Sequence, residues 1–164
     1  MGDIQGLQGR LGYAFDEPEL LRRALVHPSA INERLAKAED ARHELRFSWL
    51  GDAVLHMMVT DKLYSLFPNA SPDELTKWRQ KLTNNATLGR AARAIELEKA
   101  ITSGRALRSF LASGKDSKAL ADVFESIIGA VYIDGGLRPA GALVRRLLDA
   151  EFRALLERVE EGVP

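Results

Sequence analysis

The sequence predicts an all-α fold. Apolar residues recur at helical spacing along most of the 164 residues, and no stretch alternates polar and apolar positions over six residues as a half-buried strand would. No Asn-Gly hairpin signal is present, and helix boundaries are marked by capping residues instead. With 46% hydrophobic residues and no linker-like segment, the chain is expected to form one domain over 1–164.

The first quarter of the chain predicts short helices followed by a charged segment. Helices are expected over residues 4–11 and 18–26, the second with Asp16 as its N-cap and Pro18 in its first turn. Residues 31–42 are highly charged and contain almost no core candidates. They are therefore expected to form a solvated loop or an exposed helical extension.

The middle of the chain predicts one long helix and two shorter ones. The long helix is expected from about residue 43 to residue 67, where Pro68 follows. The sequence Ser-Pro-Asp-Glu at 71–74 is typical of a capping box with proline in the first turn, so the next helix begins there. Another helix is expected over about 87–96.

The C-terminal part predicts a central buried helix. Residues 102–118 are expected to be a loop that contains one helical turn. Residues 120–132 are apolar around most of the helical circumference, which is typical of a helix surrounded by others, and Asp-Gly-Gly at 134–136 ends it. A single amphipathic helix is expected from Pro139 to about residue 159.

Acidic residues interrupt two of the helices that are expected to be buried. Asp52 lies in the long helix, and Asp122 and Glu125 lie three residues apart on one face of the central helix. A buried carboxylate is costly unless a positive charge meets it. Gly51, a weak helix former, predicts that another helix packs closely at this point. The three acids therefore predict a shared cation site, although carboxylates that face water or cap neighbouring groups are the plainer interpretation.

The residue types restrict which ion the site would hold. The chain has no cysteine, and its three histidines are scattered, so the expected ligands are oxygens. Oxygen ligands favour a hard ion such as Mg²⁺ or Mn²⁺. Such an ion usually binds substrate phosphate, which makes metal-assisted hydrolysis of a phosphodiester the natural chemistry.

Three segments together resemble the ribonuclease III endonuclease domain. They are His-Pro-Ser at 27–29, Leu-Gly-Asp-Ala-Val-Leu at 50–55, and the segment LADVFESIIGAVYIDGG at 120–136. The resemblance covers roughly residues 7–156. It implies an all-helical, homodimeric endonuclease domain that cleaves double-stranded or structured RNA, such as ribosomal precursor RNA, with Mg²⁺, for which Mn²⁺ can substitute.

The resemblance also implies roles for individual residues. Asp52 maps to the family's catalytic aspartate, and Asp122 and Glu125 map to the acids that complete its metal site. Trp49 occupies the position of a phenylalanine that inserts into the partner subunit, so it is expected to be a dimer contact. The expected RNA contacts are Arg79, Lys81, Asn84 and Lys118.

One departure from the family lies in the metal site. Ser48 stands where the family has a metal-shell glutamate, and Leu45 replaces an earlier glutamate. Either the enzyme works with three carboxylates, as is implied by Mini-ribonuclease III relatives with a small uncharged residue there, or the protein is a weakened or inactive RNA-binding or ribosome-associated relative. Glu44, two turns before Asp52, is not expected to replace the missing acid.

The sequence also predicts a stand-alone domain. The family's double-stranded RNA-binding domain does not follow the core, which places the chain in the size class of Mini-ribonuclease III. The 23 basic and 23 acidic residues balance, so RNA affinity is expected from a local basic face. No apolar run reaches transmembrane length, no membrane partner is expected, and the expected location is the cytoplasm, or an organelle if a targeting segment has been removed.

Overall fold

The computed structural model describes residues 4–115 and 117–162. These residues form helices, a 3₁₀ turn at Leu97–Lys99 and an isolated parallel β-bridge between Val26 and Thr102, with no β-strand among them. None of the described helices is both long enough and apolar enough to span a membrane. In chain order the α-helices are α1 Ile4–Leu11, α2 Pro18–Ala24, α3 Ser29–Asn32, α4 Ala38–Leu66, α5 Pro72–Thr83, α6 Asn85–Ala94, α7 Arg105–Ala112, α8 Ser117–Gly135, α9 Leu137–Leu147 and α10 Asp149–Glu160.

Helices α4 and α8 form the centre of the molecule. They pack along each other more extensively than any other pair of elements, and α6, α9 and α2 cover the remaining faces of α8. This position is dictated by the apolar circumference of α8, which can be buried only if helices surround it. The prediction of a central helix is confirmed by its buried side chains, which include Leu120, Val123, Phe124, Ile127, Ile128 and Val131.

Two glycines let α4 and α8 approach each other closely. A Cβ atom on Gly51 would lie 1.8 Å from the main-chain oxygen of Glu125, and one on Gly129 would lie 2.2 Å from the main-chain oxygen of Phe47. Any larger residue at either position would force the helices apart. The close packing expected at Gly51 is confirmed, and it brings the first acidic motif against the second.

The capping box of α5 is confirmed. The Ser71 hydroxyl accepts a hydrogen bond from the main-chain N–H of Glu74 at 3.3 Å, and the Glu74 carboxylate accepts one from the N–H of Ser71 at 2.8 Å. Inside the helix Trp78 is buried against Phe67, with ring centroids 4.6 Å apart. The start of α5 is therefore fixed by local hydrogen bonds and its register by this aromatic contact.

The charged segment 31–42 is mostly exposed, as expected, and α4 begins within it at Ala38, so residues 38–42 are helical, the second of the two expected alternatives. Asp40 is buried, and its carboxylate accepts a hydrogen bond from the Arg22 guanidinium of α2 at 2.9 Å. An ion pair across two helices allows an acid to be buried without an apolar pattern. Helical periodicity therefore could not reveal this part of α4.

Three further boundaries differ from the sequence prediction. Residues 105–112 form two full turns of α7, and the expected C-terminal helix is divided at the buried Leu148 into α9 and α10. Asp16 does not cap α2, whose N-cap is Glu17 with no side-chain hydrogen bond. The N–H groups of Asp16 and Glu17 instead donate to the Asp134 carboxylate of α8 at 3.0 and 2.9 Å.

Candidate metal centre

Of the acids that the sequence predicted to meet, Glu125 of α8 contacts α4 directly. Glu125 is the most central of them, and its Oε2 atom accepts a hydrogen bond from the Ser48 hydroxyl across the helix pair at 3.1 Å. Burial raises the pKa of Glu125 to about 7, and the charges of Asp52 and Asp122 add to this shift. The two aspartates are therefore close enough for their charges to act on Glu125.

The expected burial of Asp52 is wrong. Its side chain is 54% exposed, and its Oδ1 atom lies 3.4 Å from Nε2 of His56, one turn further along α4. Gly51 is the residue that faces α8 directly, so the next residue, about 100° further around the helix, lies at the edge of the contact. Asp52 is thus accessible to solvent.

Asp122 is paired with a lysine on its own helix. Nζ of Lys118 donates hydrogen bonds to Oδ2 and Oδ1 of Asp122 at 2.7 and 2.9 Å. The two residues are four apart, so both lie on one face of α8. The lysine that was expected to contact RNA thus balances the charge of an acid in the candidate centre.

Glu44 is the acid of this region that sequence reasoning missed. Its side chain is only 1% exposed, although Glu44 was not expected to take part in the site. Burial, together with the charges of Asp122 and Glu125, raises the pKa of Glu44 to about 8. Spacing places residues 44, 48 and 52 on one side of α4, but it does not reveal which of them is buried, because burial depends on how α4 is rotated against α8.

The acids do not form a ready-made ligand set. In the part of the chain that the structure describes, no three His, Cys, Asp or Glu side chains are clustered closely enough to hold a metal ion together. Instead, Asp122 is paired with Lys118, and Asp52 is paired with His56, each on its own helix. A cation binding here would replace these two partners, so local side-chain rotations must accompany binding.

The chemistry of the residues nevertheless fits a hard divalent cation. The available donors are carboxylate and hydroxyl oxygens, which Mg²⁺ and Mn²⁺ prefer. Both carboxylate oxygens of Glu44 are buried and make no hydrogen bond with the described residues. Together with the raised pKa of Glu125, these oxygens indicate that the pocket lacks positive charge, which a bound cation would supply.

The other residues singled out in the sequence lie outside this pocket. Trp49 is 79% exposed on α4, as a residue that contacts a partner subunit would be. Arg79 of α5 donates a hydrogen bond to the Thr60 hydroxyl at 3.1 Å, and Lys81 is exposed. The side chain of Asn84 accepts a hydrogen bond from the N–H of Thr87 at 2.9 Å and so caps α6. Its expected contact with RNA stays a prediction.

Comparison with known proteins identifies the family. A family model described as ribonuclease-III-like matches residues 17–151. The chain belongs to the ribonuclease-III-like family. The fold agrees, since a solved nuclease domain of ribonuclease III from Campylobacter jejuni superposes with a TM-score of 0.80 at 29% identity, covering 92% of this chain and 99% of that domain. The predicted family and its all-α nuclease-domain fold are thereby confirmed.

Curated relatives of the family are longer than this chain. Ribonuclease 3 of Chlamydia trachomatis serovar L2 is 39% identical over 146 residues, which are 89% of this chain and 62% of the relative. Ribonuclease 3 of Nitrosococcus oceani is 37% identical over 155 residues, 94% of this chain and 60% of the relative. The chain thus spans about three fifths of the length of the curated relatives it matches.

Proposed function

We propose that this chain is the nuclease domain of an Mg²⁺-dependent endoribonuclease that cleaves double-stranded or structured RNA, with Mn²⁺ able to replace Mg²⁺. The observation that supports the proposal is Glu125, which accepts a hydrogen bond from Ser48 of the other helix beside the glycine crossing and whose pKa is raised to about 7 by burial and by the charges of Asp52 and Asp122. Acids with perturbed pKa values are typical of catalytic sites. Membership of a family whose curated relatives are named Ribonuclease 3 supports the same activity.

In this proposal Asp52, Asp122 and Glu125 hold the cation. When bound, the cation polarises a phosphoryl oxygen and lowers the pKa of an attacking water. Ser48 orients Glu125 through its hydrogen bond. Lys118, whose ammonium is hydrogen-bonded to Asp122, would exchange that acid for a phosphate of the RNA backbone.

The proposal includes a homodimer formed through the exposed apolar part of α4. Trp49 and Leu45 project from this helix with 79% and 58% of their surfaces exposed. Exposed apolar surface of this kind is typical of an interface. One solved Campylobacter jejuni nuclease domain is described as flexible in a region involved in dimer formation, which supports the proposal that this chain also forms a dimer. The RNA would then contact Arg79, Lys81, Asn84 and Lys118.

One observation favours a second candidate, a weakened or inactive relative that binds RNA or ribosomes without cutting. Ser48 adds no charge to the pocket, and the Lys118 ammonium already balances Asp122. Fewer carboxylates lower the affinity for a divalent cation. The two candidates differ in whether divalent ions produce RNA cleavage.

Incubation with a long structured RNA separates the candidates. The proposed enzyme cleaves the RNA in Mg²⁺ or Mn²⁺, and EDTA abolishes cleavage. Asp52→Asn and Glu125→Gln lower the rate by at least about a hundredfold, because each removes a charged ligand of the ion. Glu157→Gln, at an exposed position on α10, is the matched control and leaves the rate unchanged. RNA binding without cleavage, even at high Mn²⁺, would show that the second candidate is correct.

A further inference from the structure

Glu44 is a fully buried acid without a partner. It is 1% exposed, and neither Oε1 nor Oε2 makes a hydrogen bond with the described residues. Most buried carboxylates in proteins are paired with a cation or hydrogen-bonded. The position of Glu44 on α4 therefore needs an explanation that the helix packing alone does not give.

The groups around Glu44 are those of the candidate metal centre. The negative charges of Asp122 and Glu125 act on its carboxylate, opposed by the positive charge of Lys118. The ammonium of Lys118 is hydrogen-bonded to both oxygens of Asp122. The surroundings of Glu44 thus contain more negative charge than positive.

The backbone at Glu44 is held firmly against α8. The buried hydroxyl of Ser126 donates a hydrogen bond to the main-chain carbonyl of Glu44 at 3.1 Å. Ser126 follows Glu125 directly in the sequence, so this bond holds the backbone of Glu44 close to Glu125. Glu44 is consequently part of the helix contact and not of a mobile surface.

The spacing along α4 places Glu44 in line with the other residues of the centre. Residues four apart in a helix lie one above the other on the same face, so Glu44, Ser48 and Asp52 form one row. Ser48, in the middle of this row, carries no charge and hydrogen-bonds Glu125. The carboxylate that is missing at position 48 is therefore present one turn earlier, at position 44.

We propose that Glu44 is the fourth acidic group of this metal centre and supplies the negative charge that Ser48 does not. The inference rests on the proposed function, because it requires a divalent cation at Asp52, Asp122 and Glu125. Mg²⁺ and Mn²⁺ keep several waters when they bind to proteins, so an acid near Asp122 and Glu125 can act on the ion through that hydration shell. A cation in the pocket would also give the unpartnered oxygens of Glu44 the positive charge that they lack.

Mn²⁺ titration of the full chain by calorimetry tests the inference without measuring catalysis. We expect Glu44→Gln to weaken Mn²⁺ binding by about tenfold or more, as is typical when an outer partner of a metal site is removed. We expect the double variant Glu44→Gln/Ser48→Glu to restore the affinity to within about threefold, because it returns the charge to the same row one turn away. Glu157→Gln is the control with one fewer exposed acid and should match the original chain.

Thermal melting without metal distinguishes lost binding from lost folding. Glutamine has nearly the size of glutamate and no charge to bury, so Glu44→Gln should melt at the original temperature or above it in EDTA. The rise in melting temperature on adding Mn²⁺ should shrink in parallel with the affinity. If Glu44→Gln does not fold, Glu44→Leu takes its place in both measurements with the same expected loss of Mn²⁺ binding.

Three outcomes would overturn the inference, and they differ in what they leave standing. If Glu44→Gln binds Mn²⁺ as tightly as the original chain while Asp52→Asn does not bind, Glu44 is a structural residue and the proposed function stands. Failure of the double variant to recover Mn²⁺ affinity would equally assign Glu44 a structural role. If the original chain itself does not bind Mn²⁺, both the inference and the proposed metal-dependent function are wrong.

Discussion

Ser48 illustrates how one uncharged side chain changes the electrostatics of the acidic pocket. Its hydroxyl donates a hydrogen bond to Glu125, which lowers the pKa of that acid, whereas a second carboxylate there would raise it. Burial and the charge of Asp52 outweigh the hydrogen bond, so the pKa of Glu125 remains high. The pKa of Glu125 is thus raised even though position 48 carries an uncharged serine.

Asp134 has the opposite electrostatic environment and provides a test of the structure at acidic pH. Burial raises its pKa, but hydrogen bonds from the Tyr13 hydroxyl at 2.6 Å and from the N–H groups of Glu17 and Asp16 lower it more, so the net shift is downward. The folded state therefore holds the ionised form better than the unfolded state does. This stabilisation is present above the unfolded pKa of about 3.9 and is lost as the pH falls through the folded value.

We predict that Asp134→Asn lowers the free energy of unfolding at pH 7 by about 1–3 kcal/mol, because the hydrogen bonds to a charged acceptor are weakened. The deficit relative to the original chain should become smaller as the pH falls below about 4, where the unfolded chain binds the proton first and the stabilisation by the ionised Asp134 is progressively lost. Urea denaturation at pH 7, 5 and 3 measures both quantities, with Glu157→Gln as an exposed control. A deficit that stays constant across this pH range would contradict the hydrogen-bonding scheme.

Single residues of the site differed in how well the sequence predicted them. The spacing of Asp122 and Glu125 was sufficient to place both on one helix face, since helical geometry is local. The exposure of Asp52 and the burial of Glu44 depend on how far α4 is rotated relative to α8, which no spacing within α4 determines. The burial of each acid could therefore be obtained only from the packed structure.

At the scale of helices, the crossing of α4 and α8 positions the site. The absence of Cβ atoms at Gly51 and Gly129 lets main-chain atoms of the two helices come into contact. Main-chain contact brings Ser48 within hydrogen-bonding distance of Glu125, and the Ser126 hydroxyl bonds the opposite backbone. A wider crossing would separate the acids and remove these hydrogen bonds.

We predict that Gly51→Ala destabilises the fold by about 3 kcal/mol, because its Cβ would overlap a main-chain oxygen that cannot rotate away. Gly9→Ala is the matched control, since Gly9 lies in α1 and no atom comes within 4 Å of the position that the new methyl group would occupy. That substitution should stabilise the protein by about 1 kcal/mol through helix propensity alone. Urea denaturation measures both changes, and equal effects at the two glycines would contradict the close crossing.

The helices themselves were largely predictable because their signals are local. The capping box of α5 and the apolar circumference of α8 each predicted an element that the structure contains. The early start of α4 depends on the ion pair between Asp40 and Arg22, and the break before α10 lies at a buried leucine. Tertiary contacts determine both features, so the local sequence could not reveal them.

On the scale of the whole molecule, the apolar surface of α4 is the feature that a single chain leaves unexplained. A cavity of about 390 Å³ beside Trp49 is lined in part by Leu45 and Ile133. A large exposed tryptophan next to an apolar cavity is suited to pairing with a second copy, in which each indole enters the cavity of the partner. The dimer contact predicted from the sequence is compatible with this geometry and stays a prediction.

We predict that Trp49→Ala raises the dissociation constant of the homodimer by about thirtyfold, which corresponds to the loss of about 2 kcal/mol at an aromatic hot spot. Sedimentation equilibrium over a range of protein concentrations measures this change. Phe110→Ala is the control, because Phe110 is also an exposed aromatic residue but belongs to α7. A monomeric original chain, or equal effects of the two substitutions, would contradict the proposed interface.

The most direct test of a cation site between α4 and α8 is a crystal structure of the chain grown or soaked with Mn²⁺, whose anomalous scattering locates the ion. We predict an ion between the two helices, with carboxylate oxygens of Asp52 and Glu125 about 2.1 Å from it or one water away, and with Asp122 released from Lys118. A Mn²⁺-saturated crystal in which these side chains keep their present partners, and no anomalous peak lies between the two helices, would contradict this prediction.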